Sequence, residues 1–359
     1  MTHVSSSGHL HMTRPDDWHV HFRDGAMLAD TVPPIARVFG RAVAMPNLRP
    51  PVTTTAEALA YGARLGAAAD NAPYRLRPSP TGTFTPLPSL YLTDRTEPDE
   101  IQRARAAGLI AAKLYPAGAT THSDAGVTDL AKLAPVLRAM AECGLVLQLH
   151  GEVTDSECDI FEREARFVTG ILAPLCDEYP DLRIVLEHVT TAIGVTFVQR
   201  AGANVVATIT AHHLEVDRSD LFRGGLRPHL YCLPVPKTRA DRDAVLAAAF
   251  SADPHFFLGS DSAPHPKASK ESACCPAGVY TGHDALLYYA DIFDRHGALD
   301  GLEAFASHHG ADFYRLPRNP DTIILERAPH TIAASYRLGT GEVVPYRAGE
   351  QLAWRIAEA

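Results

Sequence analysis

Short apolar runs that end in a polar or metal-competent residue recur along this chain, and their number constrains the fold more than any other feature. Arg41-Ala-Val-Ala-Met-Pro-Asn47, Leu109 to Lys113, Leu145 to His150, Arg183 to His188 and Phe256 to Asp261 each read as a buried parallel strand. Asp16 to Phe22, Ser89 to Thr93 and Asn204 to Thr210 bring the number of candidate strands to eight. Between them lie stretches long enough for a helix and a return loop, among them Thr53 to Ala69, Thr128 to Glu142, Ile160 to Glu178 and Arg239 to Ala249. Eight alternations of strand and helix predict an α/β fold of the (β/α)8 TIM-barrel type. The 359 residues have room for two average domains, but such barrels take roughly 250 residues or more as one unit. One catalytic domain over residues 1–359 is therefore expected.

That fold gathers its chemistry at the C-terminal ends of the strands. His19 and His21, Asn47, Lys113, His150, His188 and Asp261 all fall at or next to such predicted ends. His19 and His21 are two residues apart on a strand, so both imidazoles face one side. Neutral imidazole is a common ligand of zinc-like cations, and Arg23, two residues further on, adds an anion-binding group. With 18 histidines in the chain a lone His-x-His pair arises by chance; the joint placement at strand ends is what points to a site.

Lys113 makes the chemistry specific. A protonated lysine cannot bind a metal, but a buried one has a depressed pKa and so a free amine. That amine can add carbon dioxide to give a carbamate, an anion able to bridge two cations roughly 3.5–4 Å apart. The other reading is a lysine that caps a strand or binds a substrate anion.

The net charge of −9 argues against nucleic acid as a partner. No apolar run approaches the roughly 18–20 residues that span a bilayer, and the first residues show no basic region followed by an apolar one, so a cytoplasmic protein is expected. Cys143, Cys158, Cys176, Cys232, Cys274 and Cys275 lack Cys-x-x-Cys spacing and read as structural thiols. The Arg/Pro-rich stretch from Arg75 to Pro88 reads as a surface loop before the third strand. Residues 116–126, Pro-Ala-Gly-Ala-Thr-Thr-His-Ser-Asp-Ala-Gly, read either as an ordinary polar turn or as a mobile lid.

Seven segments carry a family resemblance. Arg14-Pro-Asp-Asp-Trp-His-Val-His-Phe-Arg-Asp-Gly25, Met45-Pro-Asn-Leu48, Ala112-Lys-Leu-Tyr-Pro116, His150-Gly-Glu-Val153, Glu187-His188, Arg227-Pro-His-Leu-Tyr-Cys-Leu-Pro234 and Gly259-Ser-Asp-Ser-Ala-Pro-His265 resemble, in order, the dihydroorotases of the shorter bacterial type within the metal-dependent amidohydrolases. Longer relatives place a β-sandwich segment before the first His-x-His; only 18 residues precede His19 here, so no such domain is expected.

The resemblance implies two zinc ions per subunit. His19, His21 and Asp261 would hold one, His150 and His188 the other, and Lys113, as N6-carboxylysine, would bridge them together with a hydroxide. Asp261 would take the proton during attack and return it to the leaving ring nitrogen; its alternative role is that of a ligand only. Arg23, Asn47 and His265 would bind the substrate carboxylate, with His150 also on the substrate side. Thr120 and Thr121 would close over it, and backbone groups at Leu233 and Ala277 would meet the ring edge, positions where plain packing explains the residue types equally well. The implied reaction is the reversible cyclisation of N-carbamoyl-L-aspartate to (S)-dihydroorotate in de novo pyrimidine (UMP) synthesis, and the family suggests a homodimer. A cyclic amidase of hydantoinase, dihydropyrimidinase or allantoinase type is the rival; it would need no arginine-centred carboxylate pocket. In the Lys267–Pro276 region, Cys274-Cys275-Pro276 departs from the family's arrangement. His212-His213, after the seventh strand, is expected to have a supporting or surface role.

Overall fold

The structure, a computed structural model, describes residues 8–70 and 83–357. After a first strand, β1 (His9–Thr13), eight staves follow in chain order: β2 (Asp16–Val20), β3 (Arg41–Ala44), a stave made of β4 (Thr85–Pro88) and β5 (Leu90–Leu92), β6 (Ala111–Leu114), β7 (Val146–Leu149), β8 (Ile184–Leu186), β9 (Val205–Ile209) and β10 (Phe256–Leu258). β2, β3 and β4 pair in parallel in that order, and β5 to β10 form a second parallel run. The runs join at Ser89, whose hydroxyl donates to Ala44 O at 2.9 Å. They close on the far side, where His21 N donates to Ser262 O at 3.0 Å and Asp261 N to His19 O at 2.8 Å. The result is the expected closed barrel.

One expectation is corrected here. The end of the Arg75–Pro88 stretch is not loop: Thr85–Pro88 pairs with Arg41–Ala44. Pro86 and Pro88 have no amide to donate, which masks the strand in the sequence and coincides with the break between β4 and β5. The Arg75–Gly82 part of the stretch lies outside the described residues. Helices stand where the spacing predicts them, at Thr55–Asp70, Ala134–Cys143 and Arg239–Phe250; the one expected over 160–178 runs from Arg163 to Glu178 with a π turn at Val168–Leu172. Residues from the two ends of the chain add an antiparallel sheet that the sequence reading did not contain: β1 pairs with Thr322–Glu326, and that strand with Arg355–Ile356. No helix among the described residues is long and apolar enough to cross a membrane.

The period of two along each stave decides what faces the barrel axis. Ala111, Val146, Val185, Val206 and Phe257 form one apolar cluster with Trp18, Val43 and Tyr314. Two residues further along, the same rows carry Lys113, Gln148, Glu187, Thr208 and Gly259. The apolar layer therefore plugs one end, and the polar layer is laid at the other. Trp18 stacks on Tyr314 with centroids 4.5 Å apart and planes at 10°. A Cβ added to Gly310 would come within 2.0 Å of Trp18 Nε1. Gly310→Ala is expected to cost about 1–3 kcal/mol, the usual range for overpacking, read as a lowered denaturation midpoint.

Candidate active site

Lys113 lies within β6, His19 within β2, and His21, His150, His188 and Asp261 follow β2, β7, β8 and β10 by one to three residues. All six side chains are buried. One cavity at the C-terminal end of the barrel is lined by every residue that the resemblance assigns to the metals or the substrate except Lys113 and His265; it adds Tyr115, Ala263 and Gly278, which the sequence reading missed. A roomier groove between the π-turn helix and Ala192–Arg200 carries none of these groups, so chemistry rather than size selects the site.

His19 Nε2 stands 3.3 Å and His21 Nε2 3.1 Å from the same oxygen, Asp261 Oδ1. Ligands of a tetrahedral ion with bonds of about 2.0–2.1 Å are spaced by about 3.3 Å, so these three atoms already surround a point at that scale. A nitrogen of His188 belongs to the same group, with its ligand atom within 4.8 Å of those of His19 and Asp261. The His188 ring lies 5.2 Å from His19 and 4.8 Å from His150, centroid to centroid. His188 and Asp261 both sit at φ 44° and Arg23 at φ 63°, left-handed conformations that cost a non-glycine residue on the order of 1 kcal/mol or more and cluster at functional sites.

Two carboxylates that the sequence reading did not single out orient the imidazoles. Glu187 Oε2 accepts from His19 Nδ1 at 2.8 Å and from Thr208 Oγ1 at 2.5 Å. Glu152 Oε2 lies 2.8 Å from His150 Nε2, and Asn47 Oδ1 lies 2.9 Å from His21 Nδ1. His19 and His21 therefore turn Nε2 inward, whereas His150 is left with Nδ1. Such outer partners typically govern metal affinity by 10–100-fold. Glu187→Gln is expected to weaken metal retention within that roughly 10–100-fold range, measured by competition with a chelating dye.

Polar atoms that folded proteins normally pair are left unpaired here. Lys113 Nζ is fully buried with no hydrogen-bond partner, and so is His188 Nδ1. Burial lowers the Lys113 pKa to about 8, against the pull of Glu187 and Asp261. Burial also opposes ionisation of Asp261, but His19 and His21 outweigh it and hold its carboxyl well below the ordinary range. A buried amine, an unpaired imidazole nitrogen and an anion therefore meet in one buried space, a donor set whose chemistry fits a cation.

Arg23 and His265 stand side by side in the wall. Arg23 Nε donates to Pro264 O at 3.0 Å, and Arg23 Nη2 lies 2.9 Å from His265 Nε2. Burial, reinforced by the Arg23 cation, holds the His265 imidazole far below its ordinary pKa, and hence neutral. The 116–126 segment is seated on the cavity: Thr121 Oγ1 donates to Ala277 O at 3.2 Å and Asn47 Nδ2 to Thr121 O at 3.0 Å. Leu233 and Ala277 are both lining residues of the cavity. The surface alternative for His212-His213 is corrected: both are buried, because the helix Ala211–Glu215 turns them under the Cys232–Pro234 segment, and neither lines the cavity. All six cysteines are free thiols, Cys274 exposed and Cys232 buried.

The Amidohydrolase family model matches residues 17–323. The dihydroorotase of Shewanella denitrificans is 56% identical over 348 residues, covering 97% of this chain and 98% of its own length. Two solved structures, the dihydroorotase of Saccharomyces cerevisiae in complex with 5-fluoroorotic acid and that of Campylobacter jejuni, share 34% and 33% identity with the chain. Each superimposes with a TM-score of 0.88, the first over 98% and the second over 99% of both chains. With identity of this level running almost end to end, the chain belongs to the amidohydrolase family, among its dihydroorotases.

Proposed function

We propose that this chain interconverts N-carbamoyl-L-aspartate and (S)-dihydroorotate plus water, the ring-closing step of de novo pyrimidine (UMP) synthesis. The observation that carries the proposal is one cavity lined by four imidazoles, Asp261 and Arg23, with the unpaired buried amine of Lys113 and the Arg23–His265 pair beside it. The yeast relative, solved with 5-fluoroorotic acid, shows that a dihydroorotase accepts a ring acid of this kind.

The unpaired Lys113 and His188 nitrogens fit divalent cations: His19, His21 and Asp261 would hold one, His150 and His188 a second, and carboxylated Lys113 would be a ligand to them. Nitrogen and carboxylate donors in such number suit zinc. Bound there, the ions supply polarisation of the ring carbonyl and a hydroxide near neutral pH. Carboxylation forms an Nζ–C bond from the neutral amine and carbon dioxide with loss of one proton from Nζ, which the lowered pKa favours.

The remaining steps belong to the chain's own side chains. Arg23 presents a planar fork to the substrate carboxylate, and Asn47 Nδ2 and His265 complete that pocket. Thr120 and Thr121 cover it and exclude water, and backbone groups of Leu233 and Ala277 border the ring. Asp261, whose Oδ1 faces His19 and His21, takes on Oδ2 the proton released by the attacking water and delivers it to the ring nitrogen as the amide bond breaks; in the closing direction it takes the proton from the attacking nitrogen and returns it to the departing hydroxide, which leaves as water. Six free cysteines fit a reducing, cytoplasmic setting.

Arg23→Leu is expected to raise KM for dihydroorotate by roughly 10–150-fold, the equivalent of about 1.5–3 kcal/mol for a hydrogen bond to a charged group, with a smaller change in kcat. Steady-state rates at varied substrate check this. Ring opening of dihydroorotate, hydantoin and dihydrouracil by the protein loaded with zinc and bicarbonate tests the assignment itself: turnover of dihydroorotate is expected, and turnover of hydantoin alone would defeat it.

A further inference from the structure

A second group of metal-competent side chains lies behind the wall of the cavity. His212 and His213 belong to the short helix Ala211–Glu215 that follows β9, and Cys232 directly precedes Leu233. A ring nitrogen of each histidine and Cys232 Sγ all fall within 4.8 Å of one another, and all three residues are buried. His213 Nε2 stands 3.5 Å from Cys232 Sγ and 3.1 Å from Pro234 O, and Cys232 Sγ stands 3.5 Å from Pro234 O. A tetrahedral ion bonded to nitrogen and oxygen at about 2.0–2.1 Å and to sulfur at about 2.3 Å spaces its ligands by roughly 3.3–3.6 Å. These three atoms, drawn together by hydrogen bonds, thus stand close to that spacing.

His212 supplies an independent observation. Both of its ring nitrogens are buried and have no hydrogen-bond partner. A neutral imidazole has one N–H that needs an acceptor and one lone pair that needs a donor or a cation, and buried groups of this type are otherwise paired. His213 differs: its Nδ1 is committed to Thr210 Oγ1 at 2.8 Å, which leaves Nε2 to face the cluster.

We propose that His212, His213, Cys232 and the Pro234 carbonyl form a separate site for a thiophilic divalent cation of the zinc class. Two imidazoles and a thiolate are the donors such a cation selects. Binding replaces the Cys232 S–H proton, which leaves to solvent, with an S–metal bond. Leu233 lies between two of these ligands and lines the catalytic cavity, so the ion ties down the backbone that borders the substrate.

Metal-free protein loaded with Co2+ and bicarbonate tests the site. The expected result is about three cobalt ions per chain by elemental analysis, with a near-ultraviolet absorption of thiolate-to-cobalt charge transfer. Cys232→Ser and His212→Gln should each remove that absorption and one ion while leaving the others. The centre proposed for catalysis contains no cysteine, so the absorption reports on this site alone, whatever becomes of that reading. An unmutated protein that shows no thiolate absorption would overturn the proposal, as would a Cys232→Ser protein that keeps the absorption.

Discussion

Lys113→Ala is expected to lower kcat by at least on the order of 10³-fold, beyond the loss seen when a single charge-stabilising donor is removed, and to strip most of the bound metal. The reasoning starts from charge. Of the six side chains proposed to hold the ions, only Asp261 and carboxylated Lys113 are anionic; four are neutral imidazoles. Alanine therefore halves the negative charge available to two divalent cations, and it removes the one group placed to reach both. The loss is chemical as well as electrostatic, because Lys113 Nζ has no hydrogen bond whose removal would disturb the barrel. The variant is accordingly expected to fold, and a circular-dichroism melt checks that it does. A short carboxylic acid such as acetate or propionate fits the space vacated by the side chain and offers the same two oxygens, so partial recovery of rate with added acid is expected. Lys113→Arg keeps a fixed cation in place and should not be rescued. Rates and metal content measured together read both effects.

Asp261→Asn separates proton transfer from metal binding. The amide keeps an oxygen toward His19 and His21 but cannot accept a proton, so kcat is expected to fall by on the order of 10²–10⁴, the usual span for loss of a general acid–base group. Metal content should fall far less than the rate. If Asp261 served only as a ligand, the two losses would run in parallel, and refilling with excess zinc would restore activity. Single-turnover rates at saturating zinc distinguish the cases. The position permits little else: Asp261 lies at φ 44°, held by the bond from its amide to His19 O.

The barrel was legible because each stave announces itself locally. Leu145 to His150 is apolar apart from Gln148 until the histidine that leaves the strand, Ile184 to Leu186 is apolar up to Glu187-His188, and Phe256 to Leu258 is apolar ahead of Gly259-Ser-Asp261. Candidate site residues were legible for the same reason, since parallel staves point their last residues at one common end. What was not legible depends on long-range pairing or on suppressed signals. His9–Thr13 alternates buried and exposed residues, a readable strand pattern, but its partner Thr322–Glu326 lies more than 300 residues away. Pro86 and Pro88 disguise β4. Glu187 and Glu152 carried a usable signal that went unread: Glu187 follows Val185 by two on an inward row, and Glu152 follows His150 by two. The unpaired ring nitrogens of His212 had none, because a dipeptide of histidines says nothing about what surrounds it.

Six side chains far apart in sequence are proposed to converge on a paired cation centre joined by a carbamate. Crystals grown with zinc and bicarbonate, with diffraction recorded on both sides of the zinc absorption edge, test it most directly. Two anomalous peaks among His19, His21, His150, His188 and Asp261 are expected, with branched density extending Lys113 Nζ between them. A linear, unmodified lysine with no anomalous peak near those histidines would contradict it.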